Sequence, residues 1–491
     1  MDWIGAMDTI EIEPALGPWS AGRGPLHRKL SGALREAIAR GDLRPGTRLP
    51  SERDLARRLM VSRTTVVAAY DHLRSDGLLS SQRGSGTRVA ASPKRAAGAP
   101  VDDEPLNPVY RSLLAEPGDL ISLAAACSPA HPLVAEAMGR VVADDSARLV
   151  AHNGYLPFGL PELRAGLADM HSSRGLPTTP DQVLVTTGAQ QGVSLAAALL
   201  VRPGDTVVVE SPNFAGTLDA FRAVRARLAA VAIDDDGVDP AGVADLMGRV
   251  DPALVYLMPS FHNPTGVALS ERRRERVAQI VTDTGVPLLE DNALEHTPLG
   301  DDAPPPVASY APATAPVLTV GSFSKLAWGG LRIGWVRGPA ALIDRLGLLK
   351  TRADLGTPLF DQAVANRLLP ELDQLRHDRR AETQAALARV GELLRSWLPG
   401  WEWQPPQGGP SLWIRLPRGT ASGFAQVALR YGIEVIPGEV MSPTGDHRQH
   451  LRFPFTVHPE LQETVIRRLA DAWEAYTGTR FAHDAGANVV V

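Results

Sequence analysis

The stretch "GSFSKLAWGGLRIGW", residues 321–335, places Lys325 directly after Ser322 and Ser324 and seven residues before Arg332. It is flanked by continuously apolar runs, which predict strands on either side. Hydroxyl and guanidinium groups bind phosphate. A partly desolvated lysine amine near a cationic group is a good nucleophile towards a carbonyl. The stretch therefore indicates a site for a molecule that carries both a phosphate and an aldehyde or ketone.

Similar apolar runs recur upstream, between helical stretches. They are not alternating, which is typical of strands covered on both faces in a mostly parallel sheet. After residue 360, a long charged helix and three further short runs indicate a smaller lobe. The sequence thus predicts an α/β body with a three-layer α/β/α large domain and a smaller α+β lobe. The runs assigned to the large sheet are "QVLVTT", "TVVVE", "ALVYLMP", "VPLLE", "VLTVGS" and "RIGWV".

Ligands of such sheets collect at the carboxyl ends of the strands. Gly188, Ala189 and Gln190 open a helix after the first run, where free N–H groups and the helix dipole favour an anion. Ordinary helix packing explains the same three residues equally simply. Phe214 follows the second run, and its ring could stack on a flat cofactor or belong to the core.

Two further strand ends carry polar groups. Asn263, in "MPSFHNPTG", can donate to a phenolic oxygen, and Asp291 ends a buried strand where a carboxylate needs a cationic partner. One molecule offers a matching group for each of these residues. It has an aldehyde for Lys325 and a phosphate for the helix start and Arg332, and it has a phenol for Asn263 and a ring nitrogen for Asp291. The set of strand-end residues therefore indicates pyridoxal 5'-phosphate.

Residues from about 120 to 475 resemble the fold-type-I aminotransferases, the aspartate aminotransferase superfamily. The resemblance implies the PLP-dependent transferase fold of type I, with Lys325 as the Schiff-base lysine and Asp291 as the partner of the pyridine nitrogen. Tyr155, in "GYLPFG", resembles a tyrosine that reaches the phosphate of the partner subunit, and Arg452, in "LRFPF", an arginine that takes a substrate or effector carboxylate. The cofactor-binding residues so implied are Gly188, Ala189, Gln190, Phe214, Asn263, Asp291, Ser322, Ser324, Lys325, Arg332 and the partner's Tyr155.

The chain departs from that pattern beside the aspartate. Many family members have a tyrosine two or three residues after it, where this chain has Ala293 and Leu294, and Phe214 lacks the hydroxyl that is frequent at its position. We expect cofactor binding to survive and control of proton transfer to weaken. This favours a sensor over a catalyst.

The N-terminal part has a different character. The chain carries a net charge of −5, yet residues 23–95 contain 16 Lys and Arg against six Asp and Glu. Helical spacing from residue 26 ends at Gly41, and new helices begin at Ser51 and Ser62, which predicts a helix-turn-helix. "LLSSQRGSGTRV" then predicts two short strands that form a wing. A three-helix bundle with a basic surface is the plain alternative.

The segment "LPSERDLARRLMVSRTTVVAAYDHLRSDGLLSSQRGSGTRV" resembles the DNA-binding domain of the GntR regulators. Recognition helices offer their first residues to base edges, while flanking cations contact phosphates. Together these considerations predict DNA contacts at Arg53, Ser62, Arg63, Thr64, Thr65, Arg83 and Gly84.

We predict a winged helix over residues 20–90, a linker over 91–118 and an aminotransferase-like body over 119–478. The combination resembles the MocR subfamily of GntR regulators. It implies a head-to-tail homodimer that binds double-stranded operator DNA and responds to pyridoxal phosphate, or to an amine or amino acid that condenses with it. The alternatives are a working aminotransferase with a fused DNA-binding domain, and a winged-helix protein that uses its body only to dimerise.

The remaining features concern location. The first 15 residues are acidic where a secretion signal needs basic and apolar residues, and no segment approaches membrane-spanning length. The only cysteine, Cys127, fits a reducing compartment. We expect a cytoplasmic protein without membrane contact or a metal site.

Overall fold

The computed structural model describes residues 12–21, 24–76, 78–82, 86–90, 120–126, 128–151 and 153–478. The predicted linker lies outside these residues, which form a small N-terminal head and a large body. The helices are α1 (Glu13–Leu16), α2 (Leu26–Arg40), α3 (Glu52–Arg58), α4 (Arg63–Ser75), α5 (Pro132–Arg140), α6 (Ser146–Val150), α7 (Pro161–Ser173), α8 (Ala189–Leu200), α9 (Ala215–Ala223), α10 (Pro240–Val250), α11 (Glu271–Thr284), α12 (Ala340–Asp354), α13 (Leu359–Leu368), α14 (Leu372–Trp397), α15 (Ala421–Arg430) and α16 (Pro459–Thr477). A π-helical turn (Val141–Asp145) joins α5 to α6, and short 3₁₀ turns occupy Pro180–Gln182, Val307–Tyr310, Gly329–Leu331, Leu369–Glu371 and Gly438–Met441.

The strands are β1 (Leu79–Gln82), β2 (Gly86–Val89), β3 (Ile121–Ser122), β4 (Val183–Thr186), β5 (Thr206–Ser211), β6 (Arg227–Asp234), β7 (Gly237–Val238), β8 (Leu254–Leu257), β9 (Leu288–Asp291), β10 (Val317–Ser322), β11 (Gly334–Arg337), β12 (Ser411–Arg415), β13 (Ile433–Glu434), β14 (Ile436–Pro437) and β15 (His450–Pro454). All six runs assigned from the sequence to the large sheet contain strands of that sheet. The predicted α/β class is thereby confirmed.

The head is a winged helix-turn-helix, as predicted. Gly41 ends α2 in the left-handed conformation at φ 85°, and the hydroxyls of Ser51 and Ser62 cap α3 and α4 by accepting from backbone N–H groups three residues on, each at 3.1 Å. β1 and β2 pair antiparallel as the wing. The apolar core of the head also includes Ile12 and Trp19, which precede α2.

The large sheet has eight strands in the order β4-β11-β10-β9-β8-β5-β6-β7. All its strands are parallel except β11 and the edge strand β7. Along β5, Val207 and Val209 pack into a cluster with α8 and α12, whereas Val208 packs into a second cluster with α10 and α11. Helices therefore cover both faces, which explains the uninterrupted apolar runs and gives the predicted three layers.

The small lobe is built on the antiparallel sheet β12-β15-β14, packed against α15 and α16. β3, the first strand of the body, pairs in parallel with β13 of this lobe. The chain thus enters the body through the small lobe. Within the described ranges, no helix is both long enough and apolar enough to cross a membrane.

Candidate functional site

The residues predicted to bind the cofactor, apart from Tyr155, lie at one edge of the large sheet. β4, β5, β8, β9 and β10 are parallel, so their carboxyl ends lie at a common edge. β11 runs in the opposite direction and begins at Gly334, which is paired with Ser322 at the end of β10. Arg332, two residues before β11, consequently lies at the same edge as Lys325, three residues after β10. One antiparallel hairpin holds both cations.

The start of α8 and the Arg332 guanidinium form a cradle. Gly188 caps α8 at φ 83°, and a Cβ built on it would lie 2.8 Å from Nη2 of Arg332. Nη2 itself donates to the carbonyl of Thr187 at 2.9 Å. The Oγ of Ser322 donates to the Oγ of Ser324 at 2.9 Å. Backbone N–H groups, hydroxyls and a guanidinium thus converge as an oxyanion requires.

Ala189 and Gln190 supply the first turn of α8. The side chain of Gln190 donates through Nε2 to the carbonyl of Gly216 at 2.8 Å, which ties α8 to α9. Its amide is therefore engaged within the protein, and the turn offers an anion its backbone N–H groups.

Asp291 is buried at the end of β9 and is 5% exposed. Its two carboxylate oxygens accept from the Tyr256 hydroxyl at 2.8 Å and from the N–H of Ala293 at 2.9 Å. Burial raises the pKa of Asp291, and these two hydrogen bonds counteract that rise only in part. A cationic ligand atom beside the carboxylate would favour its charged form.

Sequence reasoning missed Tyr256. It lies in the middle of β8, fully buried, and its hydroxyl bridges Asp291 and the Thr217 hydroxyl, 3.1 Å away. Burial and the nearby carboxylate raise the pKa of Tyr256 well above its usual value, so the phenol stays a donor. The sequence feature that could have identified Tyr256 is its hydroxyl-bearing ring inside the otherwise apolar run "ALVYLMP".

Asn263 follows β8, and its Oδ1 atom is buried without a hydrogen-bond partner among the described residues. Buried polar atoms are almost always bonded, so this orphan atom fits a polar ligand. Phe214 caps α9 and is partly buried against the sheet's apolar cluster. Both interpretations of its ring, as a stacking group and as a core residue, are compatible with that position.

Lys325 and Arg452 contact one short segment at the start of the body. Nζ of Lys325 donates to the carbonyl of Ala126 at 2.9 Å. Arg452, on β15 and 2% exposed, donates through Nη2 to the carbonyls of Leu123, at 3.3 Å, and Ala124. Residues 123–126 therefore link the lysine to the arginine. Tyr155 lies elsewhere at the surface, 62% exposed.

A second buried pair lies beside the site and was also missed. Glu210, on β5, accepts from the N–H of Met258 at 2.7 Å, and burial raises its pKa to about 8. Nε2 of His262 is 3.7 Å from this carboxyl, and burial lowers the pKa of His262 to about 3. Both groups are therefore neutral near pH 7.

The residues predicted to contact DNA lie on the open side of α3 and α4. Arg53, Ser62, Arg63 and Thr64 are exposed, and Thr65 is half-buried. The Ser62 hydroxyl is 2.7 Å from that of Thr64 and 2.8 Å from that of Thr65, which orders the first turn of the recognition helix. Arg83 and Gly84 lie outside the described residues.

Comparisons with known proteins match both parts. The family "Aminotransferase class I and II" matches residues 130–472, and "Bacterial regulatory proteins, gntR family" matches residues 26–89. The uncharacterized HTH-type transcriptional regulator YisV of Bacillus subtilis (strain 168) is 29% identical over 88% of this chain and 92% of its own. The probable rhizopine catabolism regulatory protein MocR of Rhizobium meliloti is 31% identical over 65% of this chain and 66% of its own.

Among solved structures, LysN of Thermus thermophilus is an α-aminoadipate aminotransferase in complex with N-(5'-phosphopyridoxyl)-L-leucine. It aligns with a TM-score of 0.68 and 27% identity, over 75% of this chain and 95% of its own. The fold, the strand-edge site and the two family matches agree with one another. The chain therefore belongs to the aminotransferase class I and II family and, through its GntR domain, to the MocR subfamily of GntR transcriptional regulators.

Proposed function

We propose that the protein is a DNA-binding transcriptional regulator whose body binds pyridoxal 5'-phosphate and uses it to sense PLP itself or a small amine or amino acid. One observation carries the proposal: a single chain joins an exposed recognition helix to a strand-edge site with a lysine, a buried carboxylate and a phosphate cradle. Operator DNA is the partner of the head. A partner of this kind places the protein in the cytoplasm.

The residues of the site fit PLP. The cradle of Gly188, Ser322 and Arg332 suits its phosphate, and Oδ1 of Asn263, a buried acceptor without a partner among the described residues, suits the hydrogen of its phenolic hydroxyl. Asp291, held by Tyr256, suits its ring nitrogen. When bound, PLP supplies an aldehyde that condenses reversibly with primary amines and releases water. Lys325 is the amine that this chain offers.

Arg452 gives the effector its chemical class. A buried guanidinium that donates to peptide carbonyls can exchange them for a carboxylate in a two-bond pair. We therefore propose an amino acid or another amine with a carboxylate as effector. The exposed Tyr155 supports a head-to-tail homodimer in which this tyrosine completes the partner's phosphate cradle.

The test combines chemistry with DNA binding. The purified protein is saturated with PLP, reduced with borohydride and digested, and a pyridoxyl group is expected on the peptide that contains Lys325. In parallel, gel shifts on the DNA upstream of the protein's own gene compare wild type with Lys325→Ala, with and without PLP. Cofactor should change the DNA affinity of the wild type and not that of the variant.

Each part can fail separately. An unlabelled Lys325 peptide after saturation would remove covalent capture from the proposal. Equal responses of wild type and Lys325→Ala to PLP would show that the lysine takes no part in signalling. A GntR head that binds no DNA at any cofactor concentration would contradict the regulatory function.

A working aminotransferase is the second candidate, since Lys325, Asp291 and Arg452 are all present and the body is similar to LysN. Because Ala293 and Leu294 carry no hydroxyl, we expect proton transfer at this site to be inefficient. Turnover of an amino acid with a keto acid by wild type, lost in Lys325→Ala, would establish this function beside regulation.

A further inference from the structure

A series of hydrogen bonds links the phosphate cradle to a buried lysine on α12. Nη2 of Arg332 donates to the carbonyl of Thr187 at 2.9 Å, and the N–H of Thr187 donates to Oε1 of Gln191 at 2.8 Å. Nε2 of Gln191 donates to Asp354 at 2.6 Å, and Nζ of Lys350 donates to both oxygens of that carboxylate, at 2.8 and 2.7 Å. The guanidinium that suits the phosphate is thus connected to the last turn of α12.

Gln191 is the third residue of α8, a position where a glutamine or glutamate side chain often accepts from the N–H of the helix cap. Here the side chain reaches one residue further, to Thr187, so it does not use the N–H groups of the first turn that an anion needs. A glutamate at this position would add a negative charge at the helix start. The neutral amide fixes the residue before Gly188 and keeps the helix start favourable for an anion.

Asp354 lies at the C-terminal end of α12, where the helix dipole disfavours a carboxylate. Three donors compensate for this position: the side chain of Gln191, the fully buried Lys350 and the N–H of Gly356, which donates at 3.0 Å. Burial would raise the pKa of Asp354, but the hydrogen bonds from Lys350 and Gln191 outweigh it and lower that pKa. The carboxylate is therefore charged near pH 7 and is a fixed acceptor for the Gln191 amide.

We propose that Gln191 and Asp354 are positioning residues of the phosphate cradle. Asp354 orients the amide so that its oxygen meets the N–H of Thr187, and Thr187 in turn presents its carbonyl to Arg332. Arg332 has a positive φ of 54°, and a strained backbone of this kind persists only where surrounding contacts hold it. The bond to Thr187 is one of these contacts. The inference rests on the proposed function, because it concerns the phosphate of bound PLP.

A comparison of PLP with pyridoxal distinguishes this role from a purely structural one. Pyridoxal has the aldehyde, the phenol and the ring nitrogen of PLP but no phosphate. A residue that orders the cradle raises the affinity for PLP and leaves the affinity for pyridoxal unchanged. A residue that only stabilises the fold changes both affinities alike. The ratio of the PLP affinity to the pyridoxal affinity therefore reports on the cradle alone.

The test uses the full chain, prepared without cofactor, and fluorescence titrations with PLP and with pyridoxal. We expect Gln191→Met, which keeps the shape of the side chain, to lower the ratio about fivefold, the loss of roughly one hydrogen bond. Asp354→Asn should lower it in the same direction, and Arg332→Gln should lower it about tenfold or more. Asp245→Asn removes an exposed carboxylate that pairs with Arg249 on α10, and it should leave the ratio unchanged.

Thermal unfolding of each variant without cofactor shows whether it is folded. Asp354→Asn leaves Lys350 buried without its carboxylate, so Lys350→Met combined with Asp354→Asn replaces it where the single variant does not fold. An unchanged ratio in the folded variants of Gln191 and Asp354, or an equal loss of affinity for PLP and pyridoxal, would overturn the positioning role while PLP binding by the wild type stands. A wild type that does not prefer PLP to pyridoxal would instead contradict the phosphate cradle, and the positioning role with it.

Discussion

The carboxyl of Glu210 shows how one buried residue can make stability depend on pH. Burial raises its pKa from 4.5 to about 8, so between these values the folded chain holds a proton that the unfolded chain has lost. Its stabilising contribution is complete below pH 4.5 and is lost as pH rises through about 8.

We therefore expect Glu210 to lower the free energy of unfolding as pH rises from about 5 to about 8, by up to about 1.4 kcal/mol per pH unit. In Glu210→Gln that part of the slope disappears. Urea unfolding of the cofactor-free protein at several pH values measures it, with Glu275→Gln, an exposed change on α11, as the control. Identical slopes in wild type and Glu210→Gln would contradict the assignment.

Gly188 can be compared with Gly204, a second glycine whose φ is positive. A Cβ at Gly188, at φ 83°, would lie 2.8 Å from Nη2 of Arg332, whereas one at Gly204, at φ 92°, meets nothing within 4 Å. Both Gly→Ala changes strain the backbone by about 1–3 kcal/mol, since side chains rarely adopt a φ in this range. Only Gly188→Ala also displaces the guanidinium.

We expect Gly188→Ala to weaken PLP binding about tenfold, the loss of roughly one charged hydrogen bond, and Gly204→Ala to leave it unchanged. Fluorescence titration with PLP measures the affinity, and thermal unfolding measures the shared backbone strain. Equal PLP affinities for the two variants would show that the cradle does not bind the phosphate.

For individual residues, the sequence identified the charged groups of the site but not the side chains that hold them in place. Lys325, Asp291 and Arg332 stand out because each is a charged group within a few residues of the end or the start of an apolar run. Tyr256 did not, because a tyrosine inside such a run is compatible with an ordinary core. Its bond to Asp291 depends on two neighbouring strands and is visible only in the folded chain.

Among the elements, α4 is the one whose first turn should read DNA. Arg63 lies in that turn, where base edges are within reach, whereas Arg53 lies at the start of α3, where phosphates are expected. We therefore expect substitutions of these two exposed arginines to change DNA binding in different ways.

Arg63→Gln should cost about 1–3 kcal/mol on operator DNA and relax the preference for one base position. Arg53→Gln should weaken binding to all sequences alike and reduce the slope of log affinity against log salt by about one. Anisotropy titrations with operator and scrambled duplexes at several salt concentrations separate the two. Loss of specificity in Arg53→Gln instead would reverse the assignment.

The elements themselves were largely predictable. The strands of the large sheet read as strands because helices cover both faces and leave uninterrupted apolar runs. β6 was missed, since most of its residues are partly or fully exposed near the sheet edge and three of its eight residues are alanines, which are weak strand formers. α1 was missed because four residues carry too little periodicity.

The whole molecule is proposed to act as a head-to-tail dimer in which Tyr155 serves the partner's site. A chain that lacks the tyrosine and a chain that lacks the lysine should then complement each other in a mixed dimer. In a mixed dimer of Tyr155→Ala and Lys325→Ala chains, one site combines an intact lysine with an intact tyrosine, and the other site lacks both.

We expect the mixed dimer to regain about half of the wild-type PLP capacity at wild-type affinity, which neither variant alone possesses. Co-expression with two affinity tags isolates it, and borohydride labelling should mark the peptide of the Tyr155→Ala chain. PLP affinity as low in the mixed dimer as in Tyr155→Ala would show that the tyrosine does not act across subunits.

The contact between the head and the small lobe was beyond prediction from the sequence. Arg430, on α15 of the lobe, donates to the carbonyl of Met60 in the head at 3.0 Å, across a separation of 370 residues along the chain. Neither the basic head nor the lobe reveals by its pattern which surfaces meet.

The pairing of β3 with β13 affects how the body can be produced alone. The family match begins at residue 130, yet Ile121 is paired with Ile433, and Leu123 and Ala124 supply carbonyls to the buried Arg452. A truncated protein that starts at the match would expose an unpaired strand edge and deprive a buried cation of two acceptors. For expression of the isolated body, cloning should begin upstream of residue 120.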